Sequence, residues 1–163
     1  MLRHACTAIT CIAAVLILGA CGFAPKQPGQ GSMIDVPSRL SDGQASNVAI
    51  HALGLVGTPY RYGGNTPEGG FDCSGLIGYV YRGETDTPPP RTVAQLSRYG
   101  APLPRSELRT GDLVLFGSAV PTHAGIYVGN NRFVHAPSTG GTVRLDSLDG
   151  PYWSRQVATF RRP

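Results

Sequence analysis

Apolar positions follow one repeat in the first half of the chain and another in the second. In SNVAIHALGLVGTPY, Val48, Ala52, Leu53, Leu55 and Val56 fall at helical spacing. This predicts a first helix with Ser46 as its N-cap, Gly57 as its stop and Pro59 barring continuation. RYGGNTPEGG reads as loop. A second helix is expected from about Cys73 to Arg82, capped by Asp72, with Leu76, Ile77 and Val80 on one face. ETDTPPP breaks it, and TVAQLSRYG gives a short third helix ended by Gly100. Beyond that point the repeat becomes two. DLVLFG, HAGIYVG, RFVHAP, TVRLDSL and QVATFRR read as short strands between Gly, Asn, Pro and Ser turns. Helices first and an antiparallel meander afterwards predict an α+β domain with its helices on one side of the sheet.

The N-terminal apolar run lies outside that pattern. Arg3 precedes AITCIAAVLILGA, a run of signal-peptide length that passes directly into a Pro/Gly/Gln-rich segment. It is short for a membrane-spanning helix. The run ends in Leu18-Gly19-Ala20-Cys21, which resembles a bacterial lipobox. That resemblance implies cleavage before Cys21 and a lipid on its thiol. Residues 1–20 are then a signal peptide, and residues 21–45 a lipidated tether with Pro25, Pro28 and Pro37 and no sustained repeat. A flexible chain of that length spans roughly 25–30 Å. The folded domain is expected over residues 46–163. An ordinary secretory signal with a chance cysteine is the other reading of this segment.

Composition limits the function classes. A chain of 163 residues suits one domain with a real core, and 22 Gly with 14 Pro favour a loop- or strand-rich fold over a helix bundle. The net charge of +4 is mild, and no Lys/Arg run with interleaved aromatics supports nucleic-acid binding.

The cysteine count changes the picture more. Of the 4 cysteines, Cys6 and Cys11 leave with the signal and Cys21 carries lipid. Cys73 stays as an unpaired thiol in an exported protein, a liability unless it has a chemical task. At a helix start, the free N–H groups and the dipole are expected to lower its pKa. A nucleophilic thiolate needs a base, and the base needs an orienting partner. After signal removal the histidines are His51, His123 and His135. His51 sits in the first helix. His123 and His135 flank a hairpin, HAGIYVGNNRFVH, with its turn at Gly129-Asn130-Asn131. A three-residue loop pairs Val128 with Arg132 and Gly125 with His135, and puts both imidazoles on one face. A two-residue loop is expected to put them on opposite faces. Cys73, His123 and His135 are also acceptable zinc ligands, although closely spaced ligand pairs are missing. A buried, inert cysteine is the plain alternative.

TPYRYGGNTPEGGFDCSGLIGYVY, PPRTVAQ, LRTGDLVLF and HAGIYVGNNRFVHAPS occur in that order. Together they resemble the NlpC/P60 family of cell-wall cysteine peptidases across about residues 46–163. The resemblance implies a compact papain-like fold and cleavage of peptidoglycan stem peptides, usually beside diaminopimelate, with no metal or organic cofactor. It implies Cys73 as nucleophile, His123 as base and His135 as the residue that orients the base. Tyr60 and the Cys73 backbone N–H would meet the oxyanion. Asp72 and Ser74 would bind a substrate amine or serve only the helix start. Arg91, from a Pro-Arg-Thr element, would face an acidic stem peptide or be structural. Residues 22–45 are too short for a separate wall-binding module, so recognition falls to the catalytic groove. The expected partners are stem peptides and, through Cys21, a membrane, with the protein acting as a monomer. Gly22, where an inner-membrane lipoprotein often has Asp, points to the outer membrane. Two other readings stand beside this one: an inactive wall-binding partner protein, and a papain-like amidase or acyltransferase acting elsewhere.

Overall fold

The structure is a computed structural model and describes residues 38–139 and 141–163. The expected signal peptide, the expected lipid site at Cys21 and most of the expected tether lie outside the described residues. Among the described residues no helix is long and apolar enough to cross a membrane.

Helix α1 spans Asp42–Gly54. Its cap is Ser41, not Ser46. The Ser41 side chain accepts from the Gln44 N–H, and the Gln44 side chain returns a bond to the Ser41 backbone. Such a reciprocal cap is worth about 1 kcal/mol. Ser46 instead donates its hydroxyl to the Asp42 carbonyl inside the helix. Packing against the core also begins before residue 46. Leu40 is buried in the core, and Ser38 and the Arg39 N–H both donate to the carbonyl of Pro163.

The loop after α1 carries a small hairpin, β1 (Asn65–Thr66) with β2 (Gly70–Phe71). Helix α2 follows over Cys73–Tyr81, with Asp72 as its cap, close to the expected span. Thr92 caps the short α3, Val93–Leu96. A strand the sequence reading missed, β3 (Ala101–Leu103), contains Pro102 and lies at a sheet edge, where a missing N–H is tolerated. Then come β4 (Leu113–Phe116), β5 (His123–Gly129), β6 (Arg132–His135), β7 (Arg144–Ser147) and β8 (Ala158–Arg162).

These form an antiparallel sheet in the order β3-β8-β4-β5-β6-β7. Strands β4 to β7 are the expected meander. Strand β8 leaves it: after a helical turn at Trp153–Arg155 the chain returns to the far side of β4. Alternation predicts that β8 is a strand, but not which edge it joins.

Each sheet face has its own cluster. Leu113, Leu115, Ala124, Ile126 and Val134 pack on Val48 and Ala52 of α1 and on Leu76, Ile77 and Val80 of α2. Val114, Phe116, Tyr127 and Phe133 point the other way, against Leu148, Trp153 and Phe160. Strand β4 is therefore buried at every position.

The β5–β6 hairpin departs from expectation in detail. Its loop is the two-residue Asn130-Asn131, with φ of 51° and 55°, the left-handed pair such a turn requires. Gly129 pairs with Arg132, but the register shifts between Tyr127 and Gly129, leaving Val128 as a bulge. The bulge offsets the shorter loop, so Gly125 still faces His135.

Across the sheet, Arg162 at the end of β8 donates from Nε and Nη2 to Asp112 at 3.0 and 2.9 Å, with both side chains buried. Asp112 also accepts the Arg109 N–H at 2.7 Å. Replacing Asp112 with Ala removes the carboxylate partner of a buried guanidinium, which keeps its bond to the Glu107 carbonyl, and should cost about 3–5 kcal/mol. A urea titration followed by circular dichroism checks it, with a lower midpoint expected at unchanged slope.

Candidate active site

The start of α2 is held from several sides. Asp72 Oδ1 accepts the Gly75 N–H at 2.6 Å, and Oδ2 accepts the Gly63 N–H at 2.9 Å. Arg91 Nη1 lies 3.6 Å from Asp72 Oδ1, and its Nη2 donates to the Gly63 carbonyl at 3.4 Å. The buried Ser74 hydroxyl lies 2.7 Å from the Arg91 carbonyl and 3.0 Å from Asp72 Oδ1. It has one proton and donates to one of them at a time. Gly75 is required here, because a Cβ would sit 1.9 Å from the Gly64 carbonyl oxygen. Asp72, Ser74 and Arg91 thus form the knot that fixes the helix start and the glycine loop before it.

That knot places Cys73, which is half-buried. The backbones of Ala124 on β5, of Ser74 and of Cys73 itself lie close to its sulfur. These favour the thiolate, as expected of a helix start. Burial outweighs them, and with the nearby Asp72 carboxylate it pushes the thiol pKa up. The sequence-based expectation of a lowered pKa is therefore corrected by desolvation. Tyr60 is close enough for Cys73 and Asp72 to add to the effect of burial in raising its own pKa.

Ala124 is the residue after His123, so the thiol sits at the start of the strand that carries the histidine. His123 Nε2 is 2.9 Å from His135 Nδ1. Gly125 allows this approach: a Cβ there would lie 2.7 Å from the Phe133 ring and 3.2 Å from the His135 Cβ. His135 Nε2 in turn lies 3.1 Å from Asp146 Oδ2. Asp146 also accepts from Arg144 Nη2 at 2.8 and 2.7 Å and from Trp153 Nε1 at 2.8 Å.

These bonds assign the tautomers. An ionised carboxylate only accepts, so His135 carries its proton on Nε2. A neutral His135 then accepts at Nδ1, and His123 must donate from Nε2. His123 Nδ1 is left with a free lone pair, the position a base needs. The rings also point their nitrogens at each other, which does not suit a shared metal. Among the described residues no group of His, Cys, Asp or Glu is placed to hold one.

Burial, and for His123 the neighbouring His135, lowers the pKa of both histidines to about 4. Asp146 goes down too: burial raises it, but the bonds from Arg144, Trp153 and His135 together prevail.

The sequence reading assigned no role to Asp146 or Trp153. Trp153 lies nearly parallel to His123 at 5.5 Å and meets His135 edge-on at 5.0 Å, so it covers the bond between them. Beside it opens a cleft of about 680 Å³ whose walls include His123, His135, Arg144, Tyr152 and Trp153.

The profile of the NlpC/P60 family matches residues 57–162. The chain is 39% identical over 143 residues to murein DD-endopeptidase MepH of Escherichia coli K12, covering 84% of this chain and 52% of that one. It is 38% identical over 130 residues to murein DD-endopeptidase MepS/murein LD-carboxypeptidase of the same organism, covering 79% and 64%. The chain thus spans about half to under two thirds of these curated relatives. The crystal structure of the NlpC/p60 domain of peptidoglycan hydrolase SagA superposes with a TM-score of 0.63 at 30% identity, covering 71% of this chain and 96% of that one.

Two predictions follow from the histidine pair. Gly125→Ala should destabilise the fold by about 1–3 kcal/mol through overpacking and displace His135, which a thermal melt and imidazole NMR shifts would register. The second concerns pH. Both histidines have folded pKa values near 4 against 6.5 unfolded. Their contribution is whole above pH 6.5 and is lost as pH falls towards 4, because the unfolded chain takes up protons first. Urea midpoints should fall across that window, and His135→Asn should flatten the fall.

Proposed function

The chain belongs to the NlpC/P60 family, and from that premise we propose that it is a cysteine endopeptidase that hydrolyses an amide bond in peptidoglycan stem peptides, beside diaminopimelate. The observation that carries the reading is the continuous chain Asp146–His135–His123, ending in a free Nδ1 on the residue next to Ala124, whose backbone lies close to the Cys73 thiol. The murein endopeptidase names of the relatives support the substrate class.

The proposed steps use these groups as they stand. Thiol and imidazole both rest neutral, so the Cys73 proton passes to His123 Nδ1 as the sulfur attacks the amide carbonyl. The Cys73 N–H, with the Tyr60 hydroxyl as a second donor, meets the oxyanion. The protonated Nδ1 then gives its proton to the leaving amine, and a thioester remains. Water, activated by the same Nδ1, hydrolyses it and restores the thiol. His135 holds the His123 ring, and Asp146 holds His135. No step requires a metal or organic cofactor.

Export and anchoring belong to the same proposal. The Leu18–Cys21 sequence supports a lipid on Cys21, and Gly22 supports retention at the outer membrane. An inactive wall-binding role leaves the aligned relay without a purpose.

Purified peptidoglycan digested with the protein should yield new muropeptide ends by mass spectrometry, and Cys73→Ala should yield none. His123→Ala should lower kcat by about 10²–10⁴-fold. The acid limb of kcat/KM should lie near pH 4–5, following the lowered histidine pKa. Equal product from Cys73→Ala would overturn the mechanism.

A further inference from the structure

We infer that the cleft beside the histidine pair binds the amine half of the scissile amide, and that it selects an amine-side residue bearing a carboxylate. The inference rests on the proposed reaction and adds a subsite to it. Three observations carry it.

The first is position. In the proposed attack the carbonyl carbon bonds to Cys73, while the departing nitrogen must lie at His123 to receive its proton. The acyl half therefore extends from Cys73 and the amine half from His123. The cleft is walled by His123 and His135, whereas Cys73 and Tyr60 do not line it. It belongs to the amine side.

The second is its apolar wall. Tyr152 is 64% exposed and stands edge-on to Trp153, with ring centres 4.8 Å apart. Trp153 is fixed from behind by Phe116, at 4.3 Å, and by its bond to Asp146. A rigid aromatic shelf next to the base suits the hydrocarbon part of a peptide residue.

The third is charge. The lining carries Arg144 and Asp146 as its ionised groups, since both histidines rest neutral. Both Asp146 oxygens are engaged: Oδ1 by Arg144, and Oδ2 by Arg144, His135 and Trp153. Arg144 makes those bonds through Nη2, and its side chain is 47% exposed. The cleft therefore offers guanidinium N–H donors and an already saturated carboxylate. That set favours an incoming carboxylate over an amide or an ammonium.

The sequence contains one tryptophan, Trp153, so intrinsic fluorescence reports occupancy of this cleft. The test uses the full chain carrying Cys73→Ala and two peptides with the same acyl half. In one the amine-side residue ends in a carboxylate, in the other in a carboxamide. Both should perturb Trp153 emission, with the carboxylate peptide binding about 10-fold more tightly, as expected for a charged hydrogen bond. Arg144→Gln should bring that ratio close to one, a change that simple loss of packing would not produce. Tyr152→Ala should weaken both peptides alike. Equal affinities in the Arg144 protein, or an unchanged ratio in Arg144→Gln, would overturn the inference. Hydrolysis of the same peptides by the protein with Cys73 intact separates the two readings. Discrimination without hydrolysis removes the reaction and keeps the cleft. Hydrolysis without discrimination removes the cleft and keeps the reaction.

Discussion

The 2.9 Å contact between His123 Nε2 and His135 Nδ1 depends on two features of one hairpin. Gly125 lacks a side chain, so nothing stands between the two rings or against Phe133. Val128 bulges, so a two-residue turn still leaves Gly125 opposite His135. A slip of one residue would carry every side chain of β6 to the other face. His135 would then point among Leu113, Ile126 and the helices, and Phe133 would leave the cluster that supports Trp153. The polar chain and the aromatic cluster thus share one register. Changing either requires changing both.

Much of this was legible in the chain. The helix around Cys73 and the strands at 113–116, 123–129, 132–135, 144–147 and 158–162 follow from repeat and capping alone, whereas the common face of the two histidines hung on the hairpin register. The hairpin was legible only in outcome: Asn130-Asn131 marks a tight turn, but a bulge at Val128 has no residue type that announces it. Asp146 was not legible for a different reason. It lies on β7, beyond β6, and pairs with Phe133 rather than His135. Its contact with His135 is a cross-strand diagonal that needs the β6–β7 register as well as the β5–β6 one. The alternation of Arg144 and Asp146 on one strand face was the available signal. Trp153 was given no role because sequence shows that an aromatic is apolar, not that its indole N–H has a half-buried carboxylate to bond. The start of α1 was missed because the reading weighed apolar spacing, whereas Ser41 and Gln44 fix the first turn by polar bonds.

The thiol shows how two correct principles compete. A helix N-terminus stabilises an anion, and the nearby backbone of Cys73, Ser74 and Ala124 does favour the thiolate here. The same packing that brings those groups close also removes water, and desolvation of a small anion is the larger effect. The histidines face the same balance from the other side, since burial disfavours their cations. The Cys73 thiol and both imidazoles therefore rest neutral, next to the Asp146–Arg144 pair.

That pair sets what the relay can do. An unpaired Asp146 would draw protons towards the histidines and raise their pKa, stabilising an imidazolium before substrate arrives. Arg144 makes two bonds to the carboxylate and lies close enough to His135 to lower its pKa. Arg144 offsets part of the carboxylate's field at His135, while burial does most to keep both histidines neutral, and the carboxylate's geometry remains. In the proposed reaction Asp146 then acts by fixing His135 Nε2, and through it the plane and tautomer of His123. The proton moves only when attack on a carbonyl makes the thiolate worth forming. A carboxylate bound by Arg144 on the amine side would withdraw part of that offset and strengthen the pull of Asp146 on the relay. The amine half of the substrate would thereby favour the protonated His123 that it must meet in order to leave.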